Sequence, residues 1–127
     1  NLFNKALHDL GYEYVKTSDN DRAIEIFTEA LYYIENIETD YNDDILYYLA
    51  NSYYKKNEFE KAIEYFEIVS KMNSIYKPHA LYNLIKISLI GTDFEVAKAY
   101  ARQLEKFDNY KDYAKSVITL AVSERNP

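Results

Sequence analysis

The chain has 127 residues, 48% of them hydrophobic, with two Gly, two Pro, no Cys and a net charge of −6. That length supports one domain burying roughly two-thirds of its unfolded surface. The scarcity of turn residues argues against disorder and against an all-β fold, and the missing Cys exclude disulfides and thiolate sites. Acidity disfavours nucleic-acid binding through bulk charge, and no apolar run approaches the roughly 18 residues of a membrane span.

Hydrophobic periodicity predicts seven helices. The first spans about residues 2–16, with an apolar stripe of Phe3, Leu7, Leu10 and Tyr14. Ser18, Asp19 and Asn20 are candidate caps for the second, which runs through Ile24, Phe27, Leu31 and Ile34 to about Asn36, with Asp21 in its first turn to suit the helix dipole. Residues 38–42 form an acidic connector whose end caps a third helix, about 43–56. Asn57 stands where a left-handed turn residue is wanted. A fourth helix covers about 59–72. A fifth has Pro78 in its first turn and stops at Gly91. A sixth opens at Asp93 and ends near Phe107; a seventh covers about 110–123. Because the first residue is Asn1 and the only Met is Met72, the chain reads as a piece of a longer protein.

One spaced pattern occurs twice. Leu7, Leu10, Gly11 and Tyr14 precede Ala23, Phe27 and Ala30; Leu46, Leu49, Ala50 and Tyr53 precede Ala62, Phe66 and Val69 at the same offsets. A weaker third copy has Leu81, Leu84 and Ile85, then Ala97, Ala101 and Leu104. Tyr41, Tyr76 and Tyr110, each two residues before a copy begins, recur at intervals of 35 and 34 residues. The pattern resembles the tetratricopeptide repeat, a helix–turn–helix unit of about 34 residues with Leu-Gly-x-x-Tyr and Ala-x-x-x-Phe signatures. It departs from it where Leu7 and Leu46 replace Trp and where Glu35 and Ser74 replace the late Pro.

The resemblance implies an all-α, right-handed solenoid of three repeats, at about 4–42, 43–77 and 78–109, in a single domain that a terminal helix at about 110–124 caps. Small residues (Gly11, Ala50, Ala23, Ala62) let the two helices of a repeat approach closely, and Phe27 and Phe66 fill the space between repeats. Ile85 is bulky at a small position, so the third helix pair is expected to be splayed or shifted relative to its predecessors.

Chemistry-bearing patterns are sparse. His8 and His79 are the only histidines, and they lack zinc-ligand spacing. The cluster Glu38, Asp40, Asp43 and Asp44 lacks the Gly and distal Glu of a calcium loop. Glu58, Glu60, Glu64 and Glu67 read as a solvated outer face. There is no phosphate loop and no nucleophile elbow. Neither catalysis, metal nor cofactor is expected.

The informative surface is the inner face of each repeat's leading helix, at repeat positions 2, 5, 9, 12 and 13. There stand Lys5, His8, Tyr12 and Lys16; then Asp44, Tyr47, Asn51, Tyr54 and Lys55; then His79, Tyr82 and Lys86, with Tyr113 from the terminal helix in the same phase. Tyr combines apolar area with a polar tip at low entropy cost, and Lys supplies charge for carboxylates. In some family members Lys and Asn at positions 5 and 9 hold a C-terminal carboxylate. Asn51 and Lys86 match in type at position 9, whereas His8, Tyr12, Tyr47 and Tyr82 depart. The expected partner is a protein or peptide segment in the groove of the leading helices. An alternative is an assembly module that self-associates as a homo-oligomer through its third repeat, for which Ile90, Val117 and Leu120 would be exposed. The resemblance also allows a place in a bacterial cell-envelope complex.

Overall fold

The computed structural model describes residues 2–34 and 42–125. Glu35, Asn36, Glu38, Asp40 and Tyr41, which bear on the expected end of the second helix and on the connector, lie outside the described residues. The described elements are α1 (Leu2–Lys16), α2 (Asn20–Tyr32), α3 (Asp43–Lys55), α4 (Phe59–Ser70), α5 (Lys77–Ile90), α6 (Phe94–Leu104), a short 3-10 turn (Asp108–Tyr110) and α7 (Lys111–Arg125). No strand occurs among the described residues, so the fold class is all-α, as the repeat pattern implies. The chain divides into two compact units, residues 1–74 and 75–127. The first holds two helix pairs; the second holds α5, α6 and α7.

Three turns of one geometry join the helices of each pair. Ser18, Asn57 and Thr92 take the left-handed conformation, with φ of 61°, 61° and 54°. The next residue, Asp19, Glu58 or Asp93, caps the following helix with φ between −86° and −91°. The amides of Asp19, Glu58 and Asp93 reach back to the carbonyls of Tyr14, Tyr53 and Ser88 at 2.9, 3.0 and 2.8 Å, a Schellman closure that satisfies carbonyls the ending helix leaves open. Asp19 and Asp93 also accept from the amides of Arg22 and Val96. Asn57 is the turn residue the sequence predicts. At the third turn Gly91 sits at φ −82°, and Thr92, not the glycine, carries the positive φ. Asn42 occupies the cap position of α3 without a side-chain cap bond. It is buried, and its side-chain nitrogen and oxygen have no hydrogen-bond partner among the described residues.

Three helices end earlier than periodicity suggests. In α2 and α4 the amides of Tyr33, Ile34, Lys71 and Met72 bond to carbonyls three residues back, so the α ladder tightens and stops. α6 stops at Leu104 because Phe107 turns extended, with φ −101° and ψ 116°, and its ring folds back onto the second unit's core.

The cores show why the small positions matter. In the first unit Leu7, Ala23, Phe27, Ala30, Ile45 and Leu49 form one buried cluster, and Leu46 and Ala50 of α3 and Ala62, Phe66 and Val69 of α4 are fully buried. A Cβ placed on Gly11 would overlap the ring of Phe27, which is fully buried. The expected splay of the third pair is not observed. Ile85 is fully buried against Ala97 and Ala101, and α5 and α6 pack as fully as α1 and α2 do. In the first pair the small residue Gly11 lies against Phe27; in the third the larger Ile85 is buried in one cluster with Ala101. The α1 stripe is only partly covered: Leu7 is buried, but Phe3 and Leu10 are 49% and 42% exposed. Val117, expected at the surface, lies in the second unit's core, because α7 turns that side toward α6.

Four substitutions test this packing. Gly11→Ala forces a methyl group into the Phe27 ring and should cost about 1–3 kcal/mol. Ala62→Asp, at a fully buried site, should cost several kcal/mol, whereas Glu64→Ala on the exposed side of α4 should stay within about 0.5 kcal/mol. Thr92→Gly relieves a β-branched residue at positive φ and should stabilise by up to about 1 kcal/mol, net of the backbone freedom glycine adds. Denaturant midpoints of the purified variants check all four.

Candidate interaction surface

In the first unit, α1 and α3 present the expected leading-helix residues. Lys5 pairs with Asp9 at 2.8 Å and Lys16 with Glu13 at 2.9 Å. Both pairs lie within α1 and on its surface, where such pairs contribute little and are screened. His8 reaches Asp9 through Nδ1 at 3.3 Å and Asp44 through Nε2 at 2.5 Å. It therefore bridges the first turn of α3 to α1. Hydrogen bonds from Lys5 first and His8 second hold the Asp9 carboxyl below the usual carboxylate range. Asp44 thus joins the two repeats through His8.

An aromatic chain crosses from α1 to α3. Tyr12 lies 5.3 Å from Tyr48, Tyr48 lies 5.8 Å from Tyr47 and 6.3 Å from Phe27, and Tyr47 lies 5.7 Å from Phe66. Tyr12 is the exposed end of this chain, at 38%, and the Lys16 ammonium lies 5.4 Å from its ring centre, a cation–π arrangement. Tyr47 and Asn51 are half-buried, as is Tyr54, which leans on Phe59 at 5.7 Å. Lys55 is exposed. Sequence periodicity missed Tyr48, which links the surface ring Tyr12 to the core ring Phe27. It sits one residue off the predicted phase, and only packing aims it along the face.

In the second unit the rings gather more tightly. Tyr82 lies 4.9 Å from Tyr113 and 5.8 Å from Tyr110, and the Lys86 ammonium is 4.9 Å from the Tyr82 ring centre. The Tyr110 hydroxyl hydrogen-bonds His79 Nδ1 at 2.6 Å. Burial raises the Tyr110 phenol above its ordinary value, so it stays a hydrogen-bonding hydroxyl at neutral pH. Tyr110 serves the sequence pattern only as a marker of repeat phase; its place between His79 and Tyr82 comes from the short 3-10 turn that precedes α7.

Away from these faces, a cleft of about 570 Å³ opens at the turn between α3 and α4, lined by Tyr53, Asn57, Glu58, Phe59, Glu60 and Lys61. None of these is an expected contact residue. Beside it Lys56 pairs with Asp21 of α2, and that hydrogen bond raises the lysine above its ordinary range. Among the described residues no group of three or more His, Asp or Glu side chains could hold a metal ion, and no helix is long and apolar enough to cross a membrane.

Two helix pairs joined by one turn geometry, with small residues set against Phe, now stand beside the sequence comparisons. Models of the tetratricopeptide repeat match residues 5–37 and 43–73, together 64 of the 127 residues (33 and 31). The chain belongs to the tetratricopeptide repeat family. Both matches fall in the first unit. Comparison with curated proteins gives no match. Tetratricopeptide repeats mediate protein–protein interaction, and the family is typically non-enzymatic.

The aromatic chain separates surface from support. Tyr47→Ala removes a ring packed on the buried Phe66 and should cost about 1–3 kcal/mol. Tyr12→Ala, at the exposed end, should cost less than about 1 kcal/mol. Thermal melts followed by circular dichroism distinguish the two and identify Tyr12 as the cleaner probe of binding.

Proposed function

We propose that this tetratricopeptide repeat protein binds a peptide or protein segment in the groove lined by its leading helices. The observation that supports this most is the Tyr12–Tyr48–Tyr47 chain, which runs across the faces of two successive leading helices and ends in an exposed ring beside Lys16. Rigid aromatic surface with polar tips suits peptide recognition, because few rotamers are lost on binding. Exposed lysines at the margin set association rate and salt dependence more than affinity. The second unit adds a similar face at His79, Tyr82, Lys86 and Tyr113. Asn51, Tyr54 and Lys55 extend the α3 part of the groove.

A second reading, self-association through the third repeat, draws support from Ile90 and Leu120, which are 59% and 41% exposed. Light scattering over a concentration series separates it from a monomeric recognition module.

Selection of displayed random peptides against the immobilised protein tests the groove. Peptides recovered should lose about 2 kcal/mol or more of binding in Tyr12→Ala if that ring is a central anchor. Their affinity for a Glu64→Ala, Glu67→Ala variant should match the parent, by calorimetry. Loss in the outer-face variant with full binding to Tyr12→Ala would move the site to the trailing helices.

A further inference from the structure

One side of α1 is open where the same side of α3 is closed. Residues 39 apart hold equivalent places in the first two repeats, so Phe3, Ala6, Leu10 and Glu13 correspond to Asn42, Ile45, Leu49 and Ser52. All four of these α3 positions, counting its cap, are buried, and Ile45 and Leu49 share a cluster with Ala23, Phe27 and Ala30 of α2. A helix therefore covers this side in the second repeat. In α1 the residues Phe3, Ala6, Leu10 and Glu13 are all exposed. The Phe3 ring meets Tyr33 edge-on at 5.1 Å, and Tyr33 meets Tyr32 at 5.3 Å, so the open side continues onto the end of α2 as one aromatic patch. Tyr33 and Tyr32 are 50% and 83% exposed.

Size and charge narrow what fits there. An aromatic side chain offers about 150–250 Å², so the three rings and Leu10 leave on the order of 400 Å² open, a patch size that often carries function. Interfaces are about 60% apolar, which puts the whole contact at roughly 1,300 Å² over both partners, the lower end of specific complexes. Glu13 limits its length. That carboxylate pairs with Lys16 at the surface, 2.9 Å away, and a helix lying along all of α1, as α2 lies along α3, would take it out of water at high cost. The cover therefore ends before Glu13. From Phe3 to Leu10 is about 10 Å of helix, the footprint of a crossing and not of a stacked repeat. Two copies of one short patch satisfy each other through a two-fold axis. With the axis beside Ala6, antiparallel α1 helices set Phe3 of each copy on Leu10 of the other. The small Ala6 permits close approach, as Gly11 does against Phe27. The reversal also carries Glu13 to the first turn of α1 in the second copy, which holds Lys5 and no carboxylate. A parallel pair would set Glu13 against Glu13.

We propose that this side of α1 is a homodimer contact: the α1 helices of two copies cross antiparallel at Ala6, Phe3 packs on Leu10 of the second copy, and Tyr32 and Tyr33 close each edge. Tyr12 lies half a turn around α1 from Phe3, at about 100° per residue. The dimer therefore leaves the leading-helix faces open and displays two of them, so a ligand with two copies of a motif gains through effective concentration.

Sedimentation velocity of the full chain over a concentration series tests it. A dimer should form with a dissociation constant of micromolar order, as a contact of that size allows. Leu10→Asp and Phe3→Ser should each weaken it about tenfold or more, and Ile90→Ser should leave it unchanged. Phe3 and Leu10 are exposed, so both variants should melt like the parent. The absence of native Cys gives a second readout without a disruptive change. Ala6→Cys copies should oxidise to a covalent dimer, while Leu120→Cys copies should stay monomeric. An equal mixture of Phe3→Cys and Leu10→Cys copies should give mainly the mixed disulfide, because antiparallel helices bring these two positions together. A monomer at every concentration, a dimer indifferent to Leu10→Asp, or one that Ile90→Ser dissociates would overturn the proposal, the last by moving the contact to the third repeat. Like-with-like disulfides in the mixture would overturn the antiparallel crossing. Display-selected peptides should bind Leu10→Asp as they bind the parent; a loss there would make this side part of the groove and not a dimer contact.

Discussion

Close approach of the two helices in each pair is the constraint on which the rest depends. It needs one small and one large residue at the point of contact. Gly11 faces Phe27, and the ring leaves no room for a Cβ. At the corresponding positions of the second pair Ala50 and Phe66 are both fully buried, and the third pair has Ile85 and Ala101 there, in one buried cluster. Interiors are close-packed, so the sum of the two volumes is constrained more tightly than either one. A family pattern written as fixed residue types cannot express that sum, and this is why the third copy looks degenerate in sequence while its helices pack fully.

The turns impose a second constraint that the side chains obey rather than set. Ser18, Asn57 and Thr92 share a left-handed conformation, yet only Asn tolerates it readily. The Schellman bonds from Asp19, Glu58 and Asp93 hold the backbone there, because each satisfies a carbonyl that the helix end would leave open. With the turn fixed, each leading helix is presented at a set angle to its partner, and its opposite side becomes the candidate recognition face.

The two faces distribute charge differently. On the first unit Lys5, His8 and Lys16 are engaged with Asp9, Asp44 and Glu13, so each of these side chains already has a carboxylate beside it and the distinguishing feature is the aromatic chain ending at Tyr12. On the second unit α5 lacks carboxylates, and Lys86 stands over Tyr82. Whole-chain charge, −6, describes neither.

Much was legible in the sequence, because it depends on local periodicity. The seven helices, the phase of the repeats, Asn57 in its turn and the leading-helix positions of Tyr12, Tyr47 and Tyr82 follow from spacings of three and four residues and from small-residue placement. The tertiary structure decided what spacing cannot encode. It ended α6 early so that the Phe107 ring could fold back, gave the positive φ to Thr92 beside a glycine, buried Val117, and left Phe3 and Leu10 exposed. It brought Tyr48 between Tyr12 and Phe27 and set Tyr110 between His79 and Tyr82, residues 31 and 28 apart from it in the chain. Those outcomes depend on which volumes and ring edges meet across separate helices. A helical period fixes which side of a helix a residue occupies; only packing against a neighbour fixes what that side touches.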